Sequence, residues 1–305
     1  MRTILAAAAF GLVVLTGSLG LPAVPSLADL PVLQEGEPSR SSPATTTAEP
    51  VPAPLPGLGI AAAAPVWNPS GAIHPGIQTF TQGSQCTAAF VFYDAADIYI
   101  SQAAHCAGTG AATDTNGCIA GTHPLGTAVD LGTGNPGRLV YSSWIAMQEA
   151  DTPSTAPECL GNDFALVKVA EADEGNVDPA VPFFGGPTGL APTSGLLTGD
   201  QLYSFGNSGL RAGIEPVLAW KHGAVVVADV WSATVYTATP GIPGDSGSGF
   251  MDAQGRAVGV LSTVAVLPIP LSNEISGVHQ ALAYRAAHGG GAVTLATAPW
   301  VGGLV

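Results

Sequence analysis

The chain has 305 residues, of which 47% are hydrophobic and only 10% are charged, and its formal net charge is −14. A chain so acidic and so poor in Lys and Arg does not favour a phosphate-binding surface, which excludes nucleic acid as the expected partner. The length suits one domain of two lobes, or two small domains.

The N-terminus is typical of an export signal. Arg2 precedes an apolar run over residues 4–15, and small residues follow near 26–28, so we predict a signal peptide over residues 1–28. A run of about a dozen apolar residues is short for a membrane-spanning helix, which needs about 20. The sequence therefore predicts a secreted, extracellular protein with no membrane attachment once the signal is removed.

A proline-rich segment follows the signal. Residues 29–75 contain ten of the 26 prolines and show no helical or strand period. Such a composition cannot bury enough apolar surface to offset its ordering entropy. We therefore predict a disordered spacer or a short pro-segment at residues 29–75.

From residue 77 onward, short runs of β-branched and aromatic residues are separated by Gly, Asp, Asn and Pro, which predicts an all-β sandwich or barrel. The first series of predicted strands comprises residues 86–93, 98–104, 127–131, 138–147 and 164–170. The second series comprises residues 201–205, 217–221, 224–230, 232–238, 249–252 and 257–266. Residues 185–199 are predicted to connect two β lobes, and one amphipathic helix, residues 280–288, to end at three glycines.

The cysteines fit the exported class. Their number is four, and together with an export signal this predicts two disulfides out of three possible pairings, formed by Cys86, Cys106, Cys118 and Cys159. No CxxC pattern occurs, which argues against a zinc site.

One glycine-rich stretch, GIPGDSGSGF at residues 241–250, surrounds Ser246 with very little side-chain bulk. Glycines permit backbone conformations in which amide N–H groups converge on one point. The amides of Gly244 and Ser246 are therefore candidates for an oxyanion hole, and Ser246 is a candidate nucleophile.

A serine nucleophile needs a histidine base and a carboxylate that orients it. His105 follows a predicted strand and precedes Cys106, so a disulfide could hold its turn. Asp163 stands immediately before an apolar run, where a carboxylate wants a partner. The other five histidines have no such context and are interpreted as ordinary core or surface residues: His74, His123, His222, His279 and His288.

These residues carry a resemblance to the chymotrypsin-fold (trypsin-like) serine proteases of the bacterial secreted type. CTAAF at Cys86 and SQAAHC at residues 101–106 resemble the first-cysteine and histidine motifs of that family. DFALV at Asp163 resembles its aspartate motif, and GDSGSG at residues 244–249 resembles its serine motif. The three motifs occur in the family's order and span most of residues 77–265.

The resemblance implies two Greek-key β-barrels with a short C-terminal helix and an active site between the barrels. The protease domain would comprise residues 76–305, with barrel one at about 76–188 and barrel two at about 196–285. In this family the roles would fall to His105 as base and later acid, Asp163 as its orienter, and Ser246 as nucleophile. The oxyanion hole would be formed by Gly244 and Ser246. It also implies disulfides that pair Cys86 with Cys106 and Cys118 with Cys159.

The sequence departs from the family pattern in ways that bear on substrates. Pro240 and Gly241 fall near the floor of the specificity pocket, where no acid is present, so cleavage after Arg or Lys is not expected. Ser262 matches the family's substrate-binding strand, but Val264 stands where glycine keeps an apolar pocket open. We expect a narrowed pocket for small or medium apolar residues.

The activation signal of the family also differs. No IVGG-like start occurs, so Asp245 needs a partner other than a new N-terminus, and Arg138 is one candidate among six cations of the domain.

The expected function is a serine endopeptidase that acts as a monomer on protein or peptide substrates and requires no cofactor or metal. Two alternatives stay open. One is a binding protein that keeps the fold without useful turnover. The other is a serine esterase that uses Ser246, Glu274 and His279 in the chain order of α/β-hydrolases, although G-x-S-x-G and alternating helices are missing.

Overall fold

The computed structural model describes residues 63–111, 114–211, 219–264 and 272–303. The signal peptide and most of the spacer predicted from the sequence lie outside the described residues. The described residues belong to one compact unit, Leu58–Val305. No helix in these ranges is long and apolar enough to cross a membrane.

Fourteen short strands account for most of the regular structure in the described ranges. The strands before the connecting segment are β1 Gln78–Thr81, β2 Ser84–Thr87, β3 Val91–Tyr93, β4 Ile98–Gln102, β5 Ala128–Asp130, β6 Gly137–Ser142 and β7 Ala165–Lys168. The later strands are β8 Gln201–Phe205, β9 Trp220–Ala228, β10 Ser232–Thr237, β11 Gly249–Asp252, β12 Ala257–Val264, β13 Asn273–Gly277 and β14 Thr294–Leu295. The α-helices are α1 Ser143–Glu149, α2 Glu158–Gly161 and α3 Val278–Ala287.

The strands form two antiparallel sheets. The first has eight strands in the order β14-β3-β4-β7-β6-β5-β1-β2, and the second is a closed barrel in the order β10-β13-β12-β11-β8-β9. In the barrel β8, β9 and β10 are consecutive neighbours and β11 returns to lie beside β8, which is the Greek-key arrangement. The predicted all-β class, closed barrel and short C-terminal helix are confirmed.

Apolar side chains of the described residues pack in four clusters, and one of them joins the two sheets. It includes Phe90, Phe92 and Phe164 of the first sheet with Met251 and Val260 of the barrel, all fully buried. Burying aromatic side chains contributes much of a core's stabilisation. This shared cluster fixes one sheet against the other, so residues from both can contribute to one site.

The sequence-based prediction of a strand over residues 138–147 was wrong in its second half. The strand β6 ends at Ser142, and α1 begins at Ser143. Trp144 and Met147, three positions apart, are both buried, which matches one face of a helix. The Ser143 hydroxyl also donates to Asn162 O at 2.7 Å, which ties the first turn to the segment before Asp163.

Two predicted strands, residues 217–221 and 224–230, are one strand where the chain is described, β9. Gly223 does not interrupt it. A Cβ there would lie 2.1 Å from Tyr236 O and 2.6 Å from Thr237 Cα, so glycine allows β10 to approach closely.

The C-terminal helix begins two residues earlier than predicted, at Val278, and ends at Ala287. The predicted glycine stop is present, because Gly289 has φ +79° just after the helix. Beyond it, β14 returns to pair with β3 of the first sheet, which the sequence did not indicate.

Candidate active site

His105 lies in a single 3-10 turn, Ala104–Ala107, that follows β4 of the first sheet. The disulfide between Cys86 and Cys106 joins this turn to β2. The second disulfide joins Cys118 to Cys159, so both pairings implied by the resemblance are present. The histidine side chain therefore starts from a backbone that is anchored on both sides.

Asp163 lies just before β7 and is 3% exposed. Its Oδ2 lies 2.7 Å from His105 Nδ1, and its Oδ1 accepts the His105 backbone N–H at 2.9 Å. The Ser262 hydroxyl donates to Asp163 Oδ2 at 2.6 Å. Three hydrogen bonds from two sheets thus hold one carboxylate, which fixes both its position and its charge.

The backbone of Asp163 is held from the barrel as well. Its N–H donates to Ser276 Oγ at 2.8 Å, and that hydroxyl donates to Gly161 O at 2.7 Å. Ser276 lies on β13, so the aspartate stands at the junction of the two sheets.

The carboxylate sets the tautomer and the charge preference of the histidine. Because Nδ1 faces Asp163, it carries the proton in the neutral ring and Nε2 keeps its lone pair. Burial lowers the pKa of His105, but the charge of Asp163 and the hydrogen bond to it outweigh burial, so the pKa is raised above its ordinary value. Burial raises the pKa of Asp163, but His105 and Ser262 outweigh it, so that pKa is lowered.

Ser246 lies in the turn that precedes β11 and is partly exposed. It lines a cavity of about 270 Å³ together with His105, Gly244, Gln85 and Trp144. Within the described residues no hydrogen bond joins the Ser246 hydroxyl to the His105 ring. Hydrogen bonds of this kind are often long without substrate and shorten when it binds.

The amides around Ser246 divide into two groups. Asp245, Gly247 and Ser248 donate to Ile242 O, Leu261 O and Asp245 O, respectively. In the described part of the chain the amides of Gly244 and Ser246 donate to no acceptor. Gly244 has φ +97°, a conformation that favours glycine, and its carbonyl accepts Thr87 Oγ1 at 2.8 Å. These two amides are therefore free to bind an oxyanion.

Asp245 is fully buried and contacts two cations. Arg211 donates from Nη1 to Asp245 Oδ1 at 3.0 Å and from Nη2 to Oδ2 at 2.5 Å, and Lys221 Nζ lies 2.9 Å from Oδ2. Burial lowers the pKa of Lys221, Asp245 opposes that shift, and Arg211 adds to it. Arg138 is exposed and donates to Gly126 O at 3.3 Å, so its suggested pairing with Asp245 was wrong.

The residues expected to contact substrate lie beside one another. A Cβ on Gly241 would lie 3.1 Å from Val264 Cγ2 and 2.9 Å from Leu261 Cδ2. The Gly241 N–H donates to Oδ1 of the fully buried Asn273 at 2.7 Å. Pro240 is half-buried, and Ser262 turns its hydroxyl to Asp163.

The residues of the esterase alternative are not brought to this cavity. Glu274 accepts a hydrogen bond from Thr234 Oγ1 at 2.7 Å, and His279 is exposed on α3. Neither residue lines the cavity that contains Ser246. A group formed by Cys86, His105 and Cys106 has metal-ligand atoms close together, but both cysteines are in the disulfide and offer no thiolate.

Several residues around the site were not found from the sequence. They are single side chains that hold the turn or line the cavity, and no motif indicates their roles, although Thr87 lies in CTAAF: Gln85, Thr87, Trp144, Ser208, Asn273 and Ser276. From the sequence, Arg211 and Lys221 could be considered as partners of Asp245 only because they are two of the six Lys and Arg residues of the domain.

No family model and no curated protein matches the chain. Among solved structures, the chain is similar to Thermobifida fusca Protease A, with 16% identity, a TM-score of 0.46, and coverage of 74% of this chain and 98% of that one. It is similar to Nocardiopsis protease, with 17% identity, a TM-score of 0.42, and coverage of 73% of this chain and 98% of that one. It is also similar to Cellulomonas bogoriensis chymotrypsin, with 16% identity, a TM-score of 0.43, and coverage of 73% of this chain and 98% of that one.

Proposed function

We propose that this protein is a serine endopeptidase that hydrolyses peptide bonds through Ser246, His105 and Asp163. One observation carries the proposal. Asp163 holds His105 Nδ1 at 2.7 Å, which leaves Nε2 as the basic nitrogen of a ring that lines the same cavity as Ser246. The base, the Ser246 hydroxyl and the residues with the two unpaired amides line one cavity, and the buried Asp163 carboxylate orients the base from behind it.

The groups divide the reaction between them. The Ser246 hydroxyl attacks the substrate carbonyl while His105 Nε2 takes its proton, and the amides of Gly244 and Ser246 bind the oxyanion that forms. His105 then protonates the leaving amine as the carbon–nitrogen bond breaks, which leaves an acyl-enzyme. Water, deprotonated by His105, attacks the ester, and the proton returns to Ser246 Oγ as the acid departs.

The substrate preference follows from the contacts of Gly241. Val264, Leu261 and Asn273 occupy the space that a side chain on Gly241 would need, so little room is left between residues 240–241 and 262–264. Neither Pro240 nor Gly241 is acidic, so a basic substrate residue finds no counter-charge from them. We infer cleavage after small apolar residues.

The setting inferred for the enzyme is extracellular. Two disulfides persist in oxidising compartments, and the N-terminal sequence is typical of an export signal. We infer that the enzyme is secreted and acts on proteins or peptides as a monomer.

The test is reaction of the purified protein with a fluorophosphonate, mapping of the labelled residue, and assay of a peptide library beside Ser246→Ala and His105→Ala. We expect label on Ser246 and peptide turnover that both substitutions abolish. Label without turnover would favour a binding protein of the same fold. Activity that survives His105→Ala and fails in His279→Ala would overturn the assignment.

The substrate preference has its own test. Val264→Gly removes the side chain that packs on Gly241, so turnover of substrates with Phe or Leu before the scissile bond should rise by about tenfold or more relative to Ala, since each accommodated methylene is worth roughly 1–3 kcal/mol. Val227→Gly, at an exposed valine of β9, should leave the library profile unchanged. An unchanged profile for Val264→Gly would show that another residue limits the pocket.

A further inference from the structure

Ser208, in the segment after β8, makes an unusual set of contacts for a residue outside every motif. It is 3% exposed, and its hydroxyl donates to Pro243 O at 2.5 Å. The same oxygen accepts the Leu210 N–H at 3.1 Å, and the Ser208 N–H donates to Asp245 Oδ1 at 3.1 Å. The hydroxyl is thus held in place by its own loop and has one acceptor, the carbonyl of Pro243.

That carbonyl belongs to the same peptide unit as the Gly244 N–H. In a trans peptide the C=O and N–H groups point in opposite directions. The cis peptide among the described residues is Gly186–Pro187, so the unit between Pro243 and Gly244 is trans. Holding Pro243 O against Ser208 therefore turns the Gly244 N–H away from Ser208. Pro243, Gly244 and Ser246 all line the cavity at this turn, and among the described residues the Gly244 N–H donates to no acceptor.

This peptide unit needs an external constraint because glycine resists reorientation weakly. Gly244 has φ +97°, and without a Cβ it can exchange between mirror-related regions at low cost. Pro243 is exposed, so water can compete for its carbonyl. The next two units are held by other groups, since Gly244 O accepts from Thr87 and Gln85 and Asp245 O accepts from Ser248 N. Among the described residues, Ser208 supplies the hydrogen bond to Pro243 O.

We propose that Ser208 is a positioning residue, whose hydroxyl holds the Pro243–Gly244 peptide with its N–H directed into the oxyanion hole. This inference rests on the proposed function for its effect on rate, but the orientation of the peptide can be observed without turnover. When the hydroxyl is removed, the peptide is free to rotate, and one of two oxyanion donors is lost for part of the time.

The test compares Ser208→Ala with Ser208→Thr, which keeps the hydroxyl. In Ser208→Ala we expect kcat to fall by between about tenfold and about a hundredfold, somewhat less than complete removal of one donor. KM should stay within about twofold, since the oxyanion exists only after attack. Affinity for a peptidyl trifluoromethyl ketone, whose adduct places an oxyanion in the hole, should fall by the same factor as kcat/KM. Ser208→Thr should recover most of both losses.

Ser204→Ala is the matched control. Ser204 is a buried serine four residues earlier, whose hydroxyl lies 3.5 Å from Ser248 Oγ and contacts no carbonyl of the turn. It should leave kcat and inhibitor affinity within about twofold, and the midpoint of the acid limb of kcat/KM should be the same in all three variants. A loss in Ser204→Ala equal to that in Ser208→Ala would overturn the proposal in favour of general softening of the barrel.

Crystal structures of the wild type and Ser208→Ala separate this inference from the proposed function. A rotated or doubled Pro243–Gly244 peptide in Ser208→Ala supports the positioning role even if the wild type turns over no peptide. An unchanged peptide, or kcat and inhibitor affinity within twofold of wild type, would overturn it. Absence of label on Ser246 in the wild type would instead sink the proposed function alone.

Discussion

The Asp163 carboxylate accepts three hydrogen bonds, and the one from Ser262 weakens its attraction for the proton of His105. A donor to a carboxylate stabilises its charge and so reduces its demand for the proton of His105. Ser262 is predicted to contact substrate, and its hydroxyl also donates to Asp163 Oδ2 at 2.6 Å. The contribution of Ser262 to the reaction can therefore be tested by measuring how the rate depends on pH.

The pH dependence of kcat/KM should show this coupling. In the proposed mechanism His105 acts as a base only when neutral, and its pKa is raised, so the acid limb should have its midpoint above the ordinary histidine value of 6.5. Ser262→Ala should move that midpoint further upward, because Asp163 then stabilises the imidazolium more strongly. A downward shift in Ser262→Ala would contradict this account.

Protonation of His105 has opposite effects on activity and on the stability of the fold. Because the pKa of His105 is raised on folding, its protonation stabilises the folded state fully below 6.5, and this contribution is lost as pH rises through the folded pKa. The enzyme should thus gain activity over the range in which this residue ceases to stabilise the fold. Urea unfolding of the wild type and His105→Gln at several pH values would measure it.

Asp245 has two buried cations, so removing its charge should be costly. Asp245→Asn leaves Arg211 and Lys221 buried without a counter-charge, and we expect a loss of about 3–5 kcal/mol in the free energy of unfolding. Asp97→Asn is the control, because its ion pair with Lys168 is partly exposed to solvent and should matter little. Similar urea midpoints for the two variants would show that the buried charges do not stabilise the fold.

At the scale of elements, the disulfides should differ in what they protect. Cys118–Cys159 closes a sequence separation of 41 residues and Cys86–Cys106 one of 20, which correspond to about 4 and about 3 kcal/mol in the loop-entropy model. Of the two disulfides, only Cys86–Cys106 fixes the turn that carries His105.

We therefore expect a division between stability and catalysis. Cys118→Ser with Cys159→Ser should lower the urea midpoint more, whereas Cys86→Ser with Cys106→Ser should lower kcat more. Unfolding curves and kinetics of the two double variants, measured below both midpoints, would check this. Equal losses of kcat would contradict the positional argument.

The elements that could be predicted from the sequence are those with strong local patterns. β8 and β11 occur at the predicted residues 201–205 and 249–252, where short apolar and aromatic runs stand between turn residues, and the glycine stop after α3 is a local signal. β13, with the sequence NEISG, could not be predicted, because its polar residues are satisfied by distant partners. Asn273 bonds Gly241 and Ser276 bonds Asp163, contacts that no local pattern contains.

The site divides in the same way. His105, Asp163 and Ser246 stand out because each is in a short motif with its own chemical purpose. The groups that orient them, such as Thr87 and Ser208, are single hydroxyls whose roles exist only after the two sheets meet. Physical chemistry explains them once the contacts are known, but Ser208 belongs to no motif, and the CTAAF motif that contains Thr87 does not indicate its contact with Gly244.

On the scale of the whole molecule, the C-terminal segment connects both sheets. Ala296 N donates to Val91 O at 2.9 Å, next to the pairing of β14 with β3. The Trp300 ring lies 6.2 Å from Phe184 and 5.7 Å from Tyr203 of β8. These contacts predict that a change in the last residues affects the fold of the entire described domain.

Trp300→Ala should lower the free energy of unfolding by about 2–3 kcal/mol, less than the 3–5 kcal/mol of a fully buried aromatic side chain, because Trp300 is half-buried. The neighbouring Val301 is 77% exposed, so Val301→Ala, which keeps its backbone hydrogen bond, should change it by less than about 0.5 kcal/mol. Thermal and urea unfolding of both variants would decide. Equal effects would mean that the segment is held by its backbone alone.

The return of β14 to β3 joins two segments of the chain that are synthesised at different times. A ribosome adds about 5–20 residues per second, and β14 is made about 200 residues after β3. Two serines, Ser262 and Ser276, form hydrogen bonds with Asp163, and both come about a hundred residues after it in the chain. A chain that ends before β13 therefore contains His105, Asp163 and Ser246 but lacks Ser276 and the pairing of β14 with β3, and we expect it to cleave no peptide.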